Sequence, residues 1–230
     1  MFVRRFENTP ISSNCFVIYT GKDKGCLVID PGTEDCSNII PFLDEHSLNV
    51  EYCFLTHEHI DHVIGLKLLK DKYDCKVICS TNCAANLNDT KYNLSEFEER
   101  FEPISSFPTA DVTFDSHLVF NWHDMELKMD VMLGHSRGSS IMLAGKDLFI
   151  GDNLIKGMRT MANYFGGSKE DLLVSLETIL ERLGDSDLIV HSGHFDSCPL
   201  AEIKPEIEEQ IAFLKRKLQK DSNRTDVFLT

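Results

Sequence analysis

Apolar and polar positions along this chain alternate in short β-like runs, pass into helical spacing, and then do so a second time. Phe2 to Phe6, Asn14 to Thr20 and Gly25 to Ile29 read as a strand meander, with Gly21 to Gly25 as a hairpin turn. Ile39 to His46 reads as a short helix and Tyr52 to Leu55 as a strand. Val63, Leu66 and Leu69 then recur at helical spacing up to about Lys72, before a strand at Lys76 to Cys79 and a short helix from Asn82 to Leu87. A long irregular stretch, Asn88 to Phe107, separates the halves; loops of that length have a function or cover a core. Strands resume at Ser116 to Phe120, Met125 to Met132, Ser140 to Ala144, Asp147 to Ile150 and Leu188 to Val190, with Ala144 to Asp147 as a tight turn.

Two helices close the second half. Ser168 followed by Asp171 resembles a capping box, and Leu172, Leu176, Ile179, Leu180 and Leu183 share one face of the helix it starts, which Gly184 ends. A terminal helix over about Ala201 to Gln219 sets Ile207, Ile211, Leu214 and Leu218 on one stripe, suited to packing on its own sheet ahead of a dimer zipper. The reading is thus one domain over residues 1–219 and a tail over 220–230, in which Val227 to Leu229 could dock locally.

The chemistry concentrates where the Tyr52 to Leu55 strand ends. Thr56-His57-Glu58-His59-Ile60-Asp61-His62 packs four potential metal ligands into six residues, at a strand-to-helix junction whose irregular backbone can aim several side chains at one point. Imidazole suits zinc or iron, and a carboxylate at Asp61 permits a second, harder site beside the first. Alone, His135 or His194 reads as a turn or core histidine, and Gly151-Asp152 as a turn after a strand. Each of them, however, follows an apolar β run.

Five stretches in order, Val28 to Gly32, His57 to His62, Gly134 to Ser139, Gly151-Asp152 and Ser192-Gly193-His194, resemble the metallo-β-lactamase fold superfamily along almost the whole chain. The resemblance implies an α/β fold, an αββα sandwich with metals at one edge of the two sheets. It implies that His57, His59 and His135 hold one metal, that Asp61, His62 and His194 hold the other, and that Asp152 bridges them. His191 competes with His194, but Gly193-His194 matches the motif better. Asp30 fits a carboxylate that hydrogen-bonds a ligand histidine and fixes its tautomer, and also a turn-former before Pro31-Gly32.

Departures from the family pattern lie on the substrate side. Arg137 stands where the third motif commonly has Pro, and Lys156 to Gly167 replaces the Gly-Arg-Asp pattern of glyoxalase II-like members. Arg159 and Tyr164 in that loop are candidate substrate contacts, as well as candidates for a solvated loop tip. The stretch after His194 is too short for the helical domain with which full-length glutathione-thioester enzymes hold glutathione.

Composition narrows the class. At 230 residues and 42 % hydrophobic, the chain can bury a large core. No run approaches the ~18 apolar residues of a membrane span, and the start, Met1 to Arg5, does not read as a signal-peptide core, so a cytoplasmic location is the default. A formal charge of -14 works against nucleic-acid phosphate. Two Zn²⁺, two Asp carboxylates and one hydroxide would still leave the cleft at about +1, compatible with small anionic or polarised carbonyl substrates. The eight cysteines are expected reduced; Cys75, Cys79 and Cys83 read as small buried hydrophobes on a strand and a helix rather than an iron-sulfur site.

The resulting expectation is a glyoxalase II-like hydrolase with two zinc ions, or iron or manganese in one or both sites. It would use a metal-bound hydroxide, oriented by Asp61, on a thioester or other ester of a small substrate. A lactonase lies within the same class. A mononuclear iron persulfide dioxygenase built on His57, His59 and His135 is the alternative, with a non-catalytic metal-binding protein as a third; the chain would act as a monomer or homodimer.

Overall fold

The computed structural model describes residues 1–21 and 23–227, and side chains through Asp221. Two six-stranded sheets face each other. The first contains β1 (Phe2–Glu7), β2 (Asn14–Tyr19), β3 (Gly25–Ile29), β4 (Asn49–Phe54), β5 (Lys76–Ser80) and β6 (Val112–Phe114), hydrogen-bonded in chain order. The second runs in the spatial order β12 (Cys198–Pro199), β11 (Ile189–Ser192), β10 (Asp147–Gly151), β9 (Ser140–Ala144), β8 (Met125–Val131) and β7 (His117–Trp122). On the first sheet lie α1 (Ile40–Glu45), α2 (Ile60–Val63), α3 (Leu66–Tyr73) and α4 (Thr81–Asn86); on the second lie α5 (Lys169–Leu183) and α6 (Leu200–Val227).

Three apolar layers follow from this arrangement. Phe16, Ile18, Leu27, Ile29 and Phe54 of the first sheet meet Leu127, Met129, Met142 and Phe149 of the second. The opposite face of the first sheet, with Val17, Val28 and Cys53, packs on Ile39, Leu43, Leu66 and Leu69. Leu148, Ile150 and Val190 pack on Leu172, Leu176, Ile179, Ile203 and Ile207. Alternation along each strand feeds both layers, which makes the architecture an αββα sandwich. β3, buried at every position, sits mid-sheet and pairs parallel with β4, as a continuous apolar run does.

Most expected elements are present, with shifted ends. Ser168 caps α5 by accepting from the Asp171 amide, and Gly184 is its C-cap. β6 and β12, of three and two residues, are too short to leave a periodic signal. The last helix continues through Val227 where a tail from residue 220 was expected; the proposed docking of Val227 to Leu229 lies outside the described side chains. All eight cysteines are free and buried, with Cys79 on β5 and Cys83 on α4, and no cysteine joins a metal-type cluster among the described residues.

Candidate metal centre

The site assembles where parallel strands end. β3, β4 and β5 run parallel, as do β10 and β11, so the carboxyl ends of each set open on one edge. Asp30 follows β3, the Thr56 to His62 motif follows β4, Asp152 follows β10 and His194 follows β11. His135 comes from the turn between β8 and β9. Ser13 forms a bridge with His194, and Asn14 Nδ2 donates to the Ser192 and Phe195 carbonyls, which ties the first sheet to the second beside the site.

His57 Nε2 and His135 Nε2 lie 3.1 and 3.0 Å from His59 Nδ1. The opposite nitrogens fix two of these tautomers. His57 Nδ1 contacts Thr56 Oγ1 at 3.0 Å, and that hydroxyl already donates to Asp30 Oδ2, so Nδ1 must carry the proton. His135 Nδ1 donates to the Met161 carbonyl at 2.9 Å. Two lone pairs, on His57 Nε2 and His135 Nε2, therefore face His59 Nδ1, which has at most one proton to share between them, whereas a cation held by all three nitrogens satisfies both.

A second cluster abuts the first. His62 Nδ1 donates to Asp30 Oδ2 at 3.1 Å, leaving Nε2 3.4 Å from Asp61 Oδ2 and 3.6 Å from Asp152 Oδ1. His194 Nδ1 donates to the Ser12 carbonyl, leaving Nε2 3.5 Å from Asp61 Oδ2 and 3.3 Å from Asp152 Oδ2. Asp152 Oδ2 is also 3.5 Å from His135 Nε2, so one carboxylate touches both clusters. His59 Nε2, His62 Nε2 and Asp152 Oδ1 are buried without hydrogen-bond partners. His59 Nε2 lies on the far side of its ring from the centre, but the orphaned His62 Nε2 and Asp152 Oδ1 face it, and these two fit a bound divalent ion.

Asp30 also lies within reach of His57 and His62 as a possible ligand group. Its oxygens are already occupied: Oδ1 accepts from the Thr56 amide, and Oδ2 from the Thr56 hydroxyl and His62 Nδ1. It anchors the His62 ring directly and the His57 ring through Thr56, and its positive φ of 53° makes the turn into Pro31 that brings it there. It thus both makes the turn and accepts a hydrogen bond from His62.

Burial holds His57 and His59 well below the ordinary histidine pKa, so each ring is neutral and keeps one nitrogen free of a proton. His62 differs. Burial disfavours its charge, but Asp61, Asp152 and Asp30 together push it up to about 10. Asp152 is held well below the usual carboxylate range because His62, His194 and His135 outweigh the burial that would raise it. In the metal-free chain a proton on His62 answers the carboxylates, and a divalent ion would take over that role.

Two substitutions show how tightly the backbone is drawn around the site. A Cβ on Gly193 would lie 2.0 Å from Asp152 Oδ1 and 2.8 Å from the His62 ring. One on Gly32 would lie 1.7 Å from the Asp61 carbonyl oxygen. Both clashes involve atoms that cannot swing aside without moving Asp61, His62 or Asp152.

Glu58, which the sequence reading passed over, is fully buried. It accepts from Ser136 Oγ at 2.9 Å, Asn86 Nδ2 at 3.2 Å and the Gly138 amide at 3.3 Å, binding the His57 to His62 segment to the His135 turn and to α4. Its alternation with two histidines was the signal: at period two, a residue between two that face the cleft points inward.

A cleft of about 480 Å³ opens over these histidines and carboxylates, with His59, Asp61, His135, Asp152 and His194 in its floor. Tyr164 stands in its wall, its ring centroid 6.1 Å from those of His59 and His135. Arg159 does not reach the cleft. Its guanidinium pairs with Glu209 at 2.7 Å and lies over the Phe213 ring, because the loop turns toward α6 before returning at Asn163. The long 88–107 stretch supplies Leu94, Phe97, Glu98 and Arg100 to the opposite wall, and its buried Asn93 accepts at its carbonyl from the Ile60 amide at the start of α2.

Comparison with known proteins agrees with this architecture. The chain belongs to the metallo-beta-lactamase superfamily, whose family model matches residues 8–194. It is 32% identical over 193 residues to the probable metallo-hydrolase YqgX of Bacillus subtilis, covering 83% of this chain and 89% of that protein. It is 29% identical over 198 residues to the hydroxyacylglutathione hydrolase GloC of Haemophilus influenzae, covering 81% and 87% of the two chains. The crystal structure of the BLEG-1 B3 metallo-beta-lactamase superposes with a TM-score of 0.81 at 25% identity, over 88% of this chain and 96% of that one. Family and histidine–aspartate clusters together imply use of a divalent metal. No helix among the described residues is long and apolar enough to cross a membrane.

Proposed function

We propose that the chain is a binuclear metallo-hydrolase of the glyoxalase II-like type, cleaving a thioester or related ester of a small molecule. His57 Nε2, His59 Nδ1 and His135 Nε2 would hold one ion, Asp61, His62 Nε2 and His194 Nε2 the other, with Asp152 between them. Zinc suits this donor set, and iron or manganese in either position is compatible with it. The observation that carries the reading is the Asp152 carboxylate, whose two oxygens meet histidines of both clusters.

When bound by these residues, two divalent ions would supply an ionised water at neutral pH and an electrophile for the carbonyl. Asp61, partly open to the cleft, orients that water by accepting its proton in a hydrogen bond. Asp30 and Thr56 keep His62 and His57 in the tautomers that face the cleft. Tyr164 closes one wall over the acyl carbon. In the net reaction the water oxygen bonds to the acyl carbon, the carbon–sulfur bond breaks, and sulfur leaves with a proton as the thiol. Eight free, buried cysteines suit a reducing compartment, which supports the cytoplasm as the site of action.

Metal analysis of purified protein tests the reading together with a panel of thioesters, lactones and glutathione persulfide. About two metals per chain, thioester hydrolysis lost on chelation and regained with zinc are expected. One iron per chain with oxygen uptake on the persulfide would replace this reading by the dioxygenase.

A further inference from the structure

The lip of the metal cleft carries apolar surface that neither folding nor metal binding uses. Five aromatic side chains are exposed among the described residues: Phe2, Phe97, Tyr164, Phe165 and Phe195. Four of them gather at this one opening. Phe97, Tyr164 and Phe165 line the cleft at 60%, 41% and 47% exposure. Phe195, 54% exposed, follows the cleft residue His194, their ring centroids 6.4 Å apart. Exposed aromatics concentrated at the mouth of a reactive cleft mark a surface that is covered during binding.

Charge at the lip is arranged to match. Arg100 is the only Lys or Arg in the cleft wall among the described residues, and its Nε and Nη2 are clamped on Glu98 at 2.6 and 2.8 Å. The cations of the 156–167 loop are turned away, Lys156 to Glu202 and Arg159 to Glu209. Arg137, at the position where the family motif departs, lies over Tyr92, whose ring packs on Phe165, outside the cleft wall. Both loops thus direct aromatic rings inward and pair or divert their cations. A cleft that selected a highly anionic conjugate would show the reverse.

We infer that the acyl group of the substrate is apolar and extended, resting against Phe97 and Phe165 while its carbonyl reaches the metal floor. This rests on the hydrolase reading above and names its substrate class: thioesters of unbranched or aryl carboxylic acids, ahead of the polar hydroxyacyl glutathione conjugates. The cleft volume of about 480 Å³ suits a small molecule of this kind. Water attacks the acyl carbon, the carbon–sulfur bond breaks, and the products are the free acid and the protonated thiol.

The test uses the full chain in two forms. For the zinc-loaded protein, kcat/KM is measured on acetyl, butanoyl and hexanoyl thioesters of N-acetylcysteamine, a neutral thiol, and on the lactoyl thioester of glutathione. For the metal-stripped protein, calorimetry measures binding of the matching methyl, propyl and pentyl ketone analogues, in which CH₂ replaces the thioester sulfur. Expected are gains of about two- to fourfold per added methylene in both experiments. Phe97→Ala and Phe165→Ala, exposed positions whose truncation leaves the core intact, should narrow the hexanoyl advantage at least threefold. Chain-length-independent binding and rate, or a preference for the glutathione conjugate, overturns the inference even with hydrolysis present. Binding that rises with chain length while no thioester is hydrolysed keeps the apolar cleft and overturns the hydrolase reading instead.

Discussion

His191 and His194 lie three residues apart at the end of the same strand, and the fold gives them opposite surroundings. His191 meets partners at both nitrogens, Ser197 Oγ at 2.7 Å and Asp147 Oδ1 at 2.8 Å, with its ring stacked on Phe149 at 4.6 Å. His194 is fixed at Nδ1 only and turns Nε2 toward Asp61 and Asp152, the two carboxylates that His62 Nε2 also faces. What separates a packing histidine from a ligand is thus the second nitrogen. Satisfied, it holds strands together; left over beside other leftover donors, it defines a site.

The widest gap should appear on replacing each histidine. His194→Ala is expected to lose about one metal per chain and to lower kcat/KM on the best thioester more than ~100-fold, as removing a direct ligand should exceed the 10–100-fold effect of outer-shell partners. His191→Ala should retain both metals and kcat/KM within about threefold. Metal quantification by mass spectrometry beside steady-state kinetics reads both, and metal loss from the His191 variant would collapse the distinction.

Asp30→Asn asks whether the held nitrogen matters as much as the free one. Its oxygens fix His62 directly and His57 through Thr56, so metal affinity should fall about 10–100-fold while the fold persists. Competition against a chelator measures it.

His191→Ala should next show its cost in stability. The change strands Asp147 and Ser197 and removes a stacked ring, which together should cost about 1–2 kcal/mol, seen as a lower urea midpoint.

A few-fold effect should separate Tyr164 from Arg159. Tyr164→Ala, in the cleft wall, should lower kcat/KM about three- to tenfold with metal content unchanged. Arg159→Ala, which breaks an exposed pair with Glu209, should leave kinetics unchanged; a KM increase for that variant would mean the loop reaches the cleft in solution.

The smallest effect is a pH slope. Burial holds His191 below the ordinary pKa of 6.5, only partly offset by Asp147. The unfolded chain therefore binds this proton first as pH falls, so the neutral ring's contribution is whole above about 6.5 and is lost as pH drops through the lowered folded-state value. His191→Gln should flatten that part of the stability-versus-pH curve relative to the unmutated chain. An unchanged slope would show that His191 is not held neutral.

Local spacing made the metal chemistry legible. In Thr56 to His62 the ligands are neighbours, and strand-then-helix periodicity around them places a turn there whatever the rest of the chain does. The α5 cap and stripe were visible for the same reason, since both depend on residues within a few positions of one another. Asp152, His135 and His194 were readable only through motif order, because their convergence depends on strands that meet across two sheets.

The sequence by itself determined which residue types were available, where strands and helices alternate, and that two apolar faces must be covered. Only the tertiary structure decided which histidine nitrogens remain without a partner, that Glu58 points inward, that Arg159 turns to Glu209, and that Phe97 and Phe165 share one lip. Those outcomes rest on contacts between distant segments, such as 94–100 against 163–165. Each is set by how whole sheets and loops pack, which no local pattern of residues encodes.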